Sequence, residues 1–262
     1  MNVLRVSAVK TGMKRPAVAL AATLLLAGVW TSAASDETER VSRTISLEPG
    51  GTVRLKSFSG RVTITGSDRR DVAVDAVRRA DRDRLDRIKL DIHKDGDTVV
   101  IDANHRESWS FWTSHNNVVE TDFDIKVPRR TNLDLNVFSA PVTVVGVEGS
   151  HNVHTFSARV RLEDVAGPIQ TKTFSGPVEV RATAWVDNQS VDIDTFSGDI
   201  NLRLPDTARG TVTFNSFSGR FSSELPLVFR SSNRRSVKAE LGSGDGGRLQ
   251  FKTFSGSVHI DR

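Results

Sequence analysis

The sequence predicts an all-β protein. The expected fold is a β-solenoid, a single-stranded β-helix-like stack of strand–turn–strand repeats, behind a less regular N-terminal part. Three observations carry this reading. A five-residue phrase recurs seven times, as KSFSG at Lys56–Gly60, NVFSA at Asn136–Ala140, HTFSA at His154–Ala158 and KTFSG at Lys172–Gly176. It returns as DTFSG at Asp194–Gly198, NSFSG at Asn215–Gly219 and KTFSG at Lys252–Gly256. Around each phrase the apolar residues alternate, as in Val191, Ile193 and Thr195 followed by Ile200, Leu202 and Leu204. Period two marks strands with one buried face, and the phase slips by one residue across each phrase. Successive phrase phenylalanines lie 80, 18, 18, 22, 21 and 37 residues apart. Two strands and two turns need about 18–22 residues at typical lengths. One repeated unit of this size means one piece of structure stacked, each coil about 4.8 Å above the last. On this count the interval of 37 reads as two units with one degenerate phrase, and the interval of 80 as four.

Taken in order, residues 1–34 read as an export signal. Lys10, Lys14 and Arg15 form a basic start, Ala17–Trp30 an apolar core, and Ser32-Ala33-Ala34 a small-residue cleavage site before Ser35. The apolar run of about 14 residues is shorter than the roughly 20 a spanning helix needs. An uncleaved segment would instead leave the protein anchored at a membrane. Residues 35–43 read as a short linker and 44–128 as an irregular β part. Within it, Ala80–Ile88 suggests a short charged helix. Lys89–His93 and Thr98–Ala103 suggest a hairpin around Lys94–Asp97, and Thr121–Val127 a strand that stops at Pro128. Residues 129–262 read as the repeat solenoid. Each phrase joins two strands through a bend, where Gly supplies backbone freedom.

Composition narrows the function. The net charge of +4 comes from the first 34 residues, which hold four cations and no acid; the remainder has 32 Lys and Arg against 32 Asp and Glu. That balance lacks the excess positive charge of a nucleic-acid binder. With no Cys, neither a disulfide framework nor a lipid-modified N-terminal cysteine is available. Gly242–Gly247 matches G-x-G-x-x-G, but strands flank it and no helix opens there, so it reads as a turn. The six histidines lack metal-ligand spacing, and no Ser/His/Asp set or recurring pair of carboxylates announces catalysis. The reading assigns no catalytic residue, metal or cofactor.

The repeated Thr-Phe-Ser-Gly phrases, each followed by a strand such as Asp199–Pro205, resemble the bacterial putative-adhesin family of β-strand-repeat proteins, largely a domain of unknown function. Asp122–Pro128 followed by Thr131–Leu135 resembles the family's lead into its repeats, and Gly242–Gly247 with Leu249–Ile260 its closing coil. The resemblance covers roughly Thr44 to Arg262. It implies an exported, non-enzymatic solenoid of the cell envelope and names no ligand.

The candidate sites are surfaces. In-register coils stack Phe58, Phe138, Phe156, Phe174, Phe196, Phe217 and Phe254 into a ladder. If the chain bends directly after Thr195, Phe196 points inward with Ile200. If it bends at Ser197-Gly198, Phe196 points outward while Thr195 and Ser197 point in. The pattern does not decide between an internal stack and an external stripe that binds glycan, lipid or protein. Any buried Thr or Ser beside the ring needs a hydrogen bond along the stack. Trp109, Phe111 and Trp112 form a second candidate, an aromatic loop that either caps the first coils or contacts a membrane or partner. The last strand, Ser257–Ile260, ends two residues before the sequence does; its edge is either covered from within or used for self-association. The leading expectation is an exported envelope protein, periplasmic or extracellular, with an adhesin-like, scaffold or sensing role toward an envelope protein, glycan or membrane surface. The alternatives are a carbohydrate-active β-helix enzyme, recognisable by a groove lined with acids from adjacent coils, and a signalling partner of a membrane regulator.

Overall fold

The computed structural model describes residues 36–106, 118–186, 188–233 and 235–262. Its first strands are β1 (Glu37–Ser46), β2 (Thr52–Ser67) and β3 (Asp71–Ala80). A helix, α1 (Arg82–Arg87), leads into the hairpin of β4 (Ile88–Asp95) and β5 (Thr98–Arg106), and β6 (Glu120–Pro128) follows. Then come the short strand pairs β7 (Asn132–Ser139) and β8 (Val142–Val145), β9 (His151–Ser157) and β10 (Val160–Val165), and β11 (Ile169–Ser175) and β12 (Val178–Ala182). The rest are β13 (Gln189–Ser197), β14 (Ile200–Arg203), β15 (Gly210–Ser216), β16 (Phe221–Ser223), β17 (Leu227–Ser232), β18 (Ser236–Leu241), β19 (Gly247–Ser255) and β20 (Val258–Asp261).

The expected β-solenoid is present. Each coil gives one strand to each of two parallel ladders that meet at the phrase. Along the first ladder β2, β7, β9, β11, β13, β19 and β15 pair in that order; along the second, β2, β8, β10, β12, β14, β20 and β16. Equivalent phrase positions are in register, with Thr173 opposite Thr155 and Thr195, and Ser197 opposite Ser175 and Ser255. Single bridges from Arg130 to Glu148 and from Glu148 to Ala166 add a short third side to the coils there. The inward positions, among them Val53, Leu55, Val62, Ile64, Ile193 and Leu202, fill one continuous core. The corner after Phe174 needs glycine, although Ala140 and Ala158 serve at the same position of two other coils. At Gly176, where φ is +134°, a Cβ would stand 2.1 Å from the carbonyl oxygen of Ala158 in the neighbouring coil.

Several expectations are corrected. Residues 37–43, read as linker, belong to β1, which pairs antiparallel with β3. The solenoid does not begin at residue 129. The single long strand β2 is a complete coil, bent at its own phrase, and β5 with β6 forms another beyond it. The 80-residue interval therefore holds one phrase-less coil plus antiparallel strands, not four units. The 37-residue interval holds β16 and the antiparallel pair β17–β18, not a degenerate coil. The C-terminal strand is no open edge. β20 lies between β14 and β16, with Val258 opposite both Ile200 and Phe221, so self-association through it is ruled out.

Antiparallel strands, which cannot propagate the parallel coil, close both ladders at one end of the stack and the first ladder at the other. β4 pairs with β5 and β3 with β6 at one end; β18 pairs with β15 at the other. The helix forms where Asp81 caps it, accepting from the Arg84 backbone N–H at 2.9 Å. Beside it the buried Arg78 guanidinium pairs with Glu39 and donates to the Ile88 carbonyl, fastening β3 to β1 and β4.

Candidate binding face

Strand alternation carries through the phenylalanine of each phrase, and the chain turns only afterwards. Thr195 is buried, Phe196 and Ser197 are exposed, and Ile200 restarts the inward phase. The bend thus falls at Ser197-Gly198, with the difference that Ser197 also faces solvent. All seven phrase phenylalanines are 38–54% exposed. They form one uninterrupted ladder in spatial order, Phe58, Phe138, Phe156, Phe174, Phe196, Phe254 and Phe217. Ring centroids are 4.5–5.0 Å apart, and every step beyond the first has an interplanar angle of 1–5°.

This geometry determines what the ladder presents. The coil repeat sets the ring spacing. Each interior ring has both faces against its neighbours, so the solvent side of the ladder is a row of ring edges. The terminal face of Phe217 is taken by the Arg235 guanidinium, 4.8 Å from the ring centroid. Flat sugar-stacking faces, which an aromatic stripe would offer if its rings lay in the sheet plane, are therefore not what this ladder displays. An open groove follows the ridge, lined by the rings and by the column two residues before them: Lys56, Asn136, His154, Lys172, Asp194, Asn215 and Lys252. Asp102 and Asn104 of β5 line it at one end, Asn233 and Arg235 at the other.

Beneath the groove runs the buried hydroxyl column. Thr155 donates to the Thr173 hydroxyl at 2.9 Å, and Thr173 reaches the Ser175 carbonyl at 3.3 Å. The hydroxyls of Thr195 and Thr253 have no partner, so the expected chain of hydrogen bonds is incomplete. Deeper in the first ladder, His151 is 1% exposed between the aliphatic Leu133 and Ile169. Burial pushes its imidazole down to about 4, against smaller opposing contributions from the backbone of Ala166 and Val147.

The outer face of the second ladder differs. Acids from adjacent coils do line a groove there, the feature expected of a β-helix enzyme, but arginines of the same face hold them. Arg161 meets Glu179 at 2.9 Å and Glu163 at 3.7 Å, Arg181 meets Asp164 at 3.0 Å, and Arg203 approaches Asp261 at 3.8 Å. At its margin Glu224, His259 and Asp261 come together, which the sequence did not signal. His259 Nε2 lies 2.5 Å from Asp261 Oδ1, and its Nδ1 2.8 Å from the Ser222 hydroxyl, so the imidazole is held on both sides. Trp109, Phe111 and Trp112 lie outside the described residues. Arg230 is paired with Glu240 at 2.7 Å.

Solved structures of several bacterial proteins resemble the chain. One is a putative cell adhesion protein from Clostridium sporogenes, with 12% identity over 85% of this chain and 99% of that one, at TM-score 0.47. A putative lipid binding protein from Parabacteroides distasonis has 11% identity over 84% and 96%, at TM-score 0.37. A putative adhesin from Bacteroides fragilis has 9% identity over 86% and 97%, at TM-score 0.29. No curated protein matches the chain. Residues 145–261 match the family model described as Toastrack DUF4097, and they carry five of the seven phrases. The coil stack over those residues is thus similar to the Toastrack DUF4097 family.

Proposed function

We propose that this chain is a non-enzymatic binding protein of the cell envelope, with an adhesin-like, scaffold or sensing role, and that the phenylalanine ladder is its contact face. The outward ladder is the observation that carries the proposal. Seven rings of roughly 200 Å² each, about half exposed, present on the order of 600 Å² of continuous apolar surface, at or above the largest patch usual on a soluble monomer. Core packing does not require it, since a continuous core of other residues, mostly Val, Leu and Ile with Phe123, Phe214 and Phe251, already fills the inside of the coils. A surface column of seven phenylalanines needs another reason, and a partner supplies one. The basic start, apolar run and small-residue site of residues 1–34 support export. The arginine-held carboxylates of the second face favour a binding protein over a β-helix hydrolase, whose paired acids must be free to exchange protons.

The test is retention on a washed envelope fraction. Phe156→Ser, Phe174→Ser and Phe196→Ser combined should lose retention while circular dichroism and the cooperative melt persist. Retention equal to that of the unmodified chain would remove the ladder as the contact face.

A further inference from the structure

Resting on that reading, we infer that the ladder face seats on an anionic phospholipid bilayer, the rings entering the headgroup boundary and the bordering cations meeting lipid phosphates. Charge, straightness and ring orientation point there together. Along the groove side of the ridge stand Lys56, Lys172 and Lys252; just past the corner, on its other side, stand the exposed Arg61, Arg159 and Arg220. Against these, the acids at the corresponding positions of the phrase-bearing coils are Asp194 and Asp199. Asp199 accepts from the Ser257 backbone N–H at 2.8 Å, and Arg159 also approaches Glu179 at 3.9 Å. Outside residues 1–34 the chain carries equal numbers of cations and acids, so this border concentrates positive charge on one face of an otherwise balanced molecule. An apolar ridge between two cationic margins is the arrangement that peripheral membrane elements use.

The straightness of the ladder suits a planar partner. From Phe138 to Phe217 the rings stay within 1–5° of parallel over five steps, roughly 24 Å at about 4.8 Å each. A second copy of the chain fits less well, because opposing two such faces brings cationic margins against cationic margins. A glycan fits less well because the ring faces are spent on one another.

Flotation of the full chain with vesicles tests the inference. The vesicles are pure phosphatidylcholine, or phosphatidylcholine with 30% phosphatidylglycerol. Three proteins are compared: the unmodified chain, the Phe156→Ser/Phe174→Ser/Phe196→Ser variant, and the exposed-surface variant Lys56→Glu/Lys172→Glu/Lys252→Glu, which leaves every ring in place. All retain residues 1–34, so differences between them report the face and not the apolar N-terminal run. The unmodified chain should bind phosphatidylglycerol vesicles at least tenfold more strongly than pure phosphatidylcholine, and less strongly as salt rises. The charge variant should lose that preference with an unchanged melting temperature, and the serine variant should lose tenfold or more on both vesicles. Equal binding by all three, or none by the unmodified chain, overturns the inference. If vesicle binding is absent but the serine variant still loses retention on the envelope fraction, the contact face stands and its partner is not lipid. If the serine variant loses neither, both proposals fall.

Discussion

Strand β19 carries two phenylalanines three residues apart, and they belong to different regions of the molecule. Phe251 is fully buried in the inner wall, between Ile193 and Phe214 of the adjoining coils. Phe254 is 46% exposed in the outer ridge, between Phe196 and Phe217. Both sit in columns produced by the same repeat, yet the columns are stabilised differently. The inner one is closed on every side and contributes by removing apolar surface from water. The outer one contributes through ring-on-ring contacts and leaves its edges in solvent. Stacking one unit repeats whatever each position offers, and only the side of the corner on which a residue falls determines whether the column becomes core or contact surface.

The largest effect expected from this comparison separates those two rings. Phe251→Ala should cost about 3–5 kcal/mol, the range for truncating a buried aromatic residue. Phe254→Ala removes two stacked contacts at a half-exposed position and should cost about 1–2 kcal/mol. Urea denaturation of both variants reads the difference, and equal losses would mean that the ridge is core in all but exposure.

The inner wall also holds a group that does not suit it. His151 titrates at about 4 in the fold against an ordinary value near 6.5, because burial penalises the charged ring. Between those values the unfolded chain binds the proton more readily, so stability declines as pH falls from about 6.5 to 4 and is unaffected above that window. The shift corresponds to roughly 3 kcal/mol. His151→Leu, flanked by Leu133 and Ile169, should flatten that part of the acid decline in a series of melts from pH 7 to pH 4. An unchanged decline would place the acid sensitivity elsewhere.

The smallest effect sharpens the comparison at the hydroxyl column. Thr195→Val deletes a buried hydroxyl without a partner and should stabilise by about 1 kcal/mol, whereas Thr173→Val strands the Thr155 donor and should cost about 1–2 kcal/mol. Opposite signs in paired thermal melts are the expected outcome. The same sign would indicate that water or rotation already satisfies Thr195.

Much of this was legible before folding. Alternation on either side of the phrases located the strands, the one-residue slip located the corners, and Pro128 marked the end of β6. The charged run at Ala80–Ile88 and the Lys94–Asp97 turn located α1 and the β4–β5 hairpin. The order of the coils at both ends was not legible. β2 lies between β5/β6 and β7/β8, and β19/β20 between β13/β14 and β15/β16. Every strand shows the same alternation, so nothing local states which coil is its neighbour. The approach of Glu224 to His259 and Asp261 was hidden for the same reason.

By itself, then, the sequence determined a stack of two-strand coils with a phenylalanine at each corner, because period-two alternation and a repeated phrase are local properties of the chain. The tertiary structure decided that the ladder faces outward, that its rings present edges instead of faces, and that the last strand is interior. Those outcomes depend on where the backbone turns and which strand edges meet, and both are settled only when distant coils pack against one another.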